Sequence, residues 1–293
     1  MHRYLRAIGF SNVNSRKEFE KILGIIMESP TSKHTLPLEH KHMLVQFNKD
    51  FMDGLGISVV GEYDEKGFFY LSYYTPYAMS SIVSSKENVM INKRVDTDAY
   101  TGMCDDMRLG VSLIFYLQNI IDYKKSSIKE NTGRIVNICL SSLSIEGKVL
   151  LGLSNDKASY KNITQETRRR NKLIAEAKNG NQEAIDSLTI DELDIYASVM
   201  KRIKYEDIYT IVENSFIPYG SESDNYTLIG TIINWSMITN EFTKENIYCL
   251  FINCNDLVFP VYINELDLIG EPMIGRRFKG NIWMLGHIDF SEI

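Results

Sequence analysis

GEPMIGRRFKGNIWMLGHIDF, residues 270–290, holds four glycines, two adjacent arginines and a tryptophan. Two readings compete for it. The spacing Gly270-x4-Gly275-Arg276-Arg277 has the outline of a phosphate-binding loop. Such a loop needs a lysine on the terminal phosphates, a hydroxyl on magnesium and a helix N-terminus facing the anion. Here arginine stands at both final positions, Pro272 removes an amide donor, and the residues that follow alternate as a strand does. The stretch therefore reads as a turn at 270–272 and then a strand, with Gly275, Gly280 and Gly286 permitting bends or bulges. Phe278, Ile282 and Met284 share parity and are expected to face inward together. Trp283 and Leu285 then point the other way, which requires a covered outer surface or a bulge at Gly280 that resets the alternation.

Working towards the N-terminus, DIYTIVENSFIPYG, NYTLIGTIINWSMIT, ENIYCLFINC and DLVFPVYIN read as four more strands separated by turn clusters. Five strands in residues 206–293 predict a small antiparallel, barrel-like domain, with oligonucleotide-binding (OB) topology as one candidate. Residues 157–205 read as a helical connector. Asn162 with Gln165 and Thr189 with Glu192 form capping boxes, Lys178-Asn179-Gly180 is a stop, a short helix covers Gln182 to Ser187, and the last helix reaches about Ile203.

Residues 1–156 read as a mixed α/β part, making the whole chain α+β. Phe19, Ile22, Leu23 and Ile26 recur at helical spacing between Ser15 and Glu28, and a hairpin turns at Asp64 to Gly67. A strand is expected near Val89 to Val95, and two more on either side of Ser144 to Gly147. The dense apolar run within 108–124 suits a buried strand or a buried helix, and its length favours helix.

The 293 residues are 44% apolar and 24% charged, an ordinary globular composition with room for two domains. No segment approaches the roughly 20 apolar residues that cross a bilayer. Four cysteines without Cys-x-x-Cys spacing fit a reducing cytoplasm, so a cytoplasmic protein is expected. The net charge of -6 is unevenly spread: residues 1–156 hold 18 basic and 18 acidic side chains, 157–204 hold 10 and 7, and 206–293 hold 4 and 13. An acidic C-terminal part is a poor match for a phosphate backbone, and the run Arg168-Arg169-Arg170 is too short to reverse this, so nucleic-acid binding is not expected.

Three clusters could carry chemistry. Cys104, Asp105, Asp106 and Arg108 gather a thiol, two carboxylates and a guanidinium; the aspartates could share a proton or bind a cation, or simply charge a helix N-terminus. Arg276, Arg277 and Lys279, nearly the only cations of an acidic segment, could hold an anion or pair with carboxylates. His40 and His42, with His34 nearby, would share a strand face as two zinc ligands do, though without a cysteine or acidic partner. His287, in an apolar strand, reads as packed or hydrogen-bonded, and Ser126 to Lys129 (SSIK) lacks the companion motifs of a Ser-x-x-Lys enzyme. No cofactor is expected.

MHRYLRAIGFS, RLGVSLIFYLQN, SSLSIEGK and INELDLIGEPMIGRRFKGNIWMLGHIDF together resemble a clostridial-type bacterial family known only as a domain of unknown function. The resemblance spans essentially the whole chain. It implies a bacterial cytosolic protein of one complete architecture and brings no catalytic residue with it. With no complete catalytic constellation, the residues favour a non-catalytic binding or interaction protein that takes a protein partner or small ligand. The alternative is an enzyme acting on a small anionic or metal-linked substrate through Asp105, Asp106 and Arg108 with Arg276 or Arg277. An exposed strand edge or apolar patch would instead favour self-assembly.

Overall fold

A computed structural model describes residues 2–13, 15–95, 97–126, 135–151, 172–173, 176, 181–189, 212–220 and 224–290. The chain is mostly β. After a 3-10 turn at Arg3–Ile8, helix α1 (Arg16–Glu28) is capped by Ser15, whose Oγ accepts from the Glu18 amide at 3.2 Å, and buries Phe19, Ile22, Leu23 and Ile26 as their spacing predicts. A small antiparallel sheet follows, in the order β1 (Ser32–Pro37), β2 (Met43–Met52), β3 (Leu55–Tyr63), β4 (Phe69–Ala78). The expected hairpin joins β3 to β4, where Asp64 Oδ1 accepts from the amides of Lys66 and Phe68, both at 2.9 Å.

The second sheet is larger and mixed. It contains β5 (Ser85–Asn88), β6 (Met90–Lys93), β7 (Tyr100–Cys104) and β8 (Leu113–Leu117). After the short helix α2 (Ile120–Lys125) come β9 (Ile135–Leu150), β10 (Ser215–Pro218), β11 (Asn225–Thr239), β12 (Asn246–Cys254), β13 (Leu257–Asn264), β14 (Leu268–Ile269) and β15 (Arg277–Asp289). Within it five strands close a ring, β11–β12–β13–β9–β15 and back to β11. Every junction is antiparallel except β13 with β9.

This corrects the strand set expected from residues 206–293. The fifth strand of the ring is β9, from before the connector, whereas β10 adds to β11 outside the ring. The reason lies in β9 itself. Residues 135–150 form one continuous 16-residue strand rather than two, long enough to pair with β15 along nearly its whole length and with β13 on its other side.

The 108–124 run is corrected as well. Strand β8 and α2 occupy it, with Leu113, Phe115 and Leu117 facing the interior of the ring and Tyr116 the opposite side. A strand buried on both faces shows no alternation in hydropathy, so length was a misleading guide. The short connector helix spans 182–189. The other connector readings, at Asn162 and Gln165, Arg168 to Arg170, Lys178 to Gly180, Glu192 and Ile203, lie outside the described residues.

Two cores result. Phe278, Ile282 and Met284 fill the ring with Leu228, Leu250 and Phe259, as their parity predicts. Trp283 and Leu285 face outward into the second core, where Phe47, Ile57 and Val59 of the small sheet and the apolar stripe of α1 cover them. The bulge falls in β9, not at Gly280: Asn281 pairs with Glu146 and Ile282 with Ser144, skipping Ile145. At the far end of β15 the Phe115 ring lies against two glycines, Gly102 and Gly286, on flanking strands. A Cβ on Gly286 would stand 2.1 Å from Phe115 Cδ2, and one on Gly102 would stand 2.4 Å from Cζ.

Candidate functional site

The cluster at Asp105, Asp106 and Arg108 does not begin a helix; it forms the turn between β7 and β8. Asp106 is buried and holds Arg108 through Nε at 2.9 Å and Nη2 at 2.5 Å, and it accepts from Ser85 Oγ at 2.7 Å. Arg108 also donates to the carbonyls of Ser84 and Asp256, both at 2.9 Å, tying β5 to the β12–β13 turn. Burial alone would raise the Asp106 carboxyl, but the hydrogen bonds from Arg108 and Ser85 outweigh it and hold the group below its usual range. Asp105 binds only the Ser112 hydroxyl, at 2.6 Å, among the described contacts. Burial, with Asp106 next in effect, pushes the Cys104 thiol up to about 12, the opposite of an activated nucleophile.

Arg277 is buried and donates to the carbonyl of Leu151 at 3.1 and 3.0 Å and to that of Val212, while Arg276 donates to the Glu271 carbonyl at 3.0 Å. Lys279 is half-buried on β15. The described contacts of Arg276 and Arg277 share no residue with those of Arg108. His40 and His42 are not neighbours on a strand: His40 sits with a left-handed backbone (φ 55°) in a 3-10 turn, Glu39–Lys41, and His42 pairs with Glu62. Among the described residues no group of three or more His, Cys, Asp or Glu side chains is arranged to hold a metal.

Two features had no signal in the sequence. The first is a polar knot that pins the N-terminus to the ring. Asp224, at the start of β11, accepts from Arg94 Nη1 and Trp283 Nε1, each at 3.0 Å, and Asn225 accepts from the Tyr4 hydroxyl at 2.6 Å. The rings of Tyr4 and His2 lie 5.3 and 4.8 Å from that of Trp283. Burial, reinforced by Arg3, lowers His2 from 6.5 to about 4, and burial also lowers His287. Both imidazoles are thus held neutral. A depressed histidine favours the unfolded chain as protons are added, so stability is full above about pH 6.5 and falls as pH drops towards 4. Between pH 7 and pH 5, His2 alone is expected to cost about 2 kcal/mol. Urea unfolding at the two pH values checks this, and His2→Gln should flatten much of the slope.

The second feature is a strand edge left open among the described residues. Residues 225–231 of β11 pair with β15, but beyond a bulge at Ile233 residues 234–239 pair with β12 alone, and no described strand lies on the other side. The stretch INWSMIT, residues 233–239, carries no charge and no proline, the usual protections of a bare edge. Trp235 is 39% and Met237 42% exposed, and Trp235 meets the Tyr248 ring edge-on at 5.9 Å. The turn after β14 adds the exposed Met273 and Ile274, docked by the Gly275 amide on the Ile232 carbonyl and the Ile232 amide on the Arg276 carbonyl, both at 2.8 Å. Carboxylates rim this patch. Burial first, then Glu265 and Glu271, raise the Tyr248 hydroxyl, and Glu241 is exposed just past the end of β11.

Among the described residues no helix is long and apolar enough to cross a membrane. No curated protein and no solved structure matches the chain. Residues 5–286, nearly the whole length, match the family described as "Domain of unknown function, E. rectale Gene description (DUF3881)", and the chain belongs to that bacterial family.

Proposed function

We propose that the chain is a non-catalytic interaction protein of the bacterial cytoplasm, which receives a protein partner on the open edge of β11. The single observation that carries this is an uncharged, aromatic-bearing strand edge beside an exposed apolar patch. The five-strand ring, read as a small barrel, supplies the rigid support. The four cysteines, all free thiols, suit a reducing compartment, and the carboxylate rim opposes a nucleic-acid backbone.

The test is photocrosslinking from position 235 in cells of the source bacterium, with position 68 on the opposite sheet's hairpin as control. The captured partner is then purified and its Kd measured. The expected result is a partner crosslinked from 235 and not from 68, bound at least tenfold more weakly by Met237→Lys. Equal crosslinking from both positions, or an unchanged Kd, would overturn the reading.

A further inference from the structure

We infer that the partner presents an extended, basic segment that joins β11 as an additional strand. This rests on the interaction reading above and names its chemistry. A strand edge offers a row of amide donors and carbonyl acceptors, which gives affinity to any extended backbone, while alternating side chains select among sequences. Beyond the bulge at Ile233, residues 234–239 offer a regular edge of about 17–20 Å, enough for a segment of five or six residues. On one face Trp235 and Met237 are directly opposite Leu250 and Tyr248 of β12 and extend the apolar surface beyond the ring. Apolar side chains of an added strand would pack there at every second position.

Charge decides between the occupants of this edge. Glu241 is exposed just past the end of β11, Glu265 accepts from Asn246 opposite Thr239, and Glu271 lies in the turn that docks on Ile232. Against these three stand the exposed Lys244 and the half-buried Arg276, whose Nη1 is turned to the Glu271 carbonyl. Lysines or arginines at the intervening positions of the segment would meet these carboxylates. A second copy of this chain would instead set one carboxylate rim against another, a repulsive arrangement.

The experiment titrates the full chain with a capped octapeptide alternating lysine and valine. Affinity is read by anisotropy, and the site by amide hydrogen exchange. Comparison peptides are the same sequence N-methylated at alternate residues, which removes one edge's donors, and a glutamate–valine analogue. Expected are slowed exchange within 233–239, at least tenfold weaker binding of the N-methylated peptide, no binding of the acidic one, and at least tenfold weakening by Met237→Lys. Weakening with added salt is also expected.

Equal binding of the N-methylated peptide, protection elsewhere, or no binding of the lysine peptide would overturn strand addition. The interaction reading is judged separately by the crosslinks from position 235. A chain that is itself dimeric, and becomes monomeric with Met237→Lys, would assign the edge to a second copy and overturn the basic segment.

Discussion

Arg108→Met is expected to lower the unfolding free energy by about 3–5 kcal/mol, the usual consequence of leaving a buried charge without its partner. Asp106 is 3% exposed, and nearly all of its polar contacts are Arg108, the Ser85 hydroxyl and its own turn. With the guanidinium gone, the carboxylate must take up a proton or draw in water. The carbonyls of Ser84 and Asp256 lose a donor as well. For a chain of this size the melting temperature should fall by roughly 10 °C. Asp106→Leu combined with Arg108→Met should recover most of the loss, because an apolar pair carries no desolvation debt. Urea unfolding of the two single variants and the double variant closes the cycle. Single variants as stable as the parent would instead show that this pair is free of structural duty, and would return it to consideration as a reactive site.

Gly286→Ala is expected to cost about 3 kcal/mol or more, at the upper end of overpacking effects. The new methyl would enter the Phe115 ring at 2.1 and 2.5 Å, and the ring cannot swing aside because Gly102 confines it from the other strand. Phe115 is completely buried, so Phe115→Leu alone should also destabilise, through the volume it vacates. The double variant should be more stable than the sum of the two losses predicts, since the smaller side chain makes room for the methyl. Additive losses in denaturant unfolding would mean that the methyl and the ring avoid each other by backbone movement.

What the sequence disclosed depended on whether a residue's partner was near in the chain. The α1 stripe and the Asp64 hairpin are local, and each is as the pattern predicts. The parity of Phe278, Ile282 and Met284 against Trp283 and Leu285 was also legible, because two buried faces still alternate in position. Residues 113–117 concealed their strand for a related reason: burial on both faces removes the polar half of the alternation. The contribution of β9 to the ring was invisible, since nothing local in residues 135–150 names β13 and β15 as neighbours. The same holds for the candidate surface. Nothing in the sequence marks Trp235 and Met237 as exposed; among the described residues, the end of β15 pairing at Thr231 leaves them uncovered.

The ring has a further consequence, in time rather than in space. Strand β15 lies between β9 and β11, two strands finished long before it during synthesis. Until residues 277–289 have left the ribosome, both neighbours have an unpaired side and the ring interior lacks Phe278, Ile282 and Met284. The nascent chain therefore carries exposed apolar strands through nearly half of its translation, and the closure that hides them joins residues far apart in the chain, such as Asp289 and Asn137. Such distant pairing is slow to form, which makes this protein's own birth the period when a chaperone's cover would matter most.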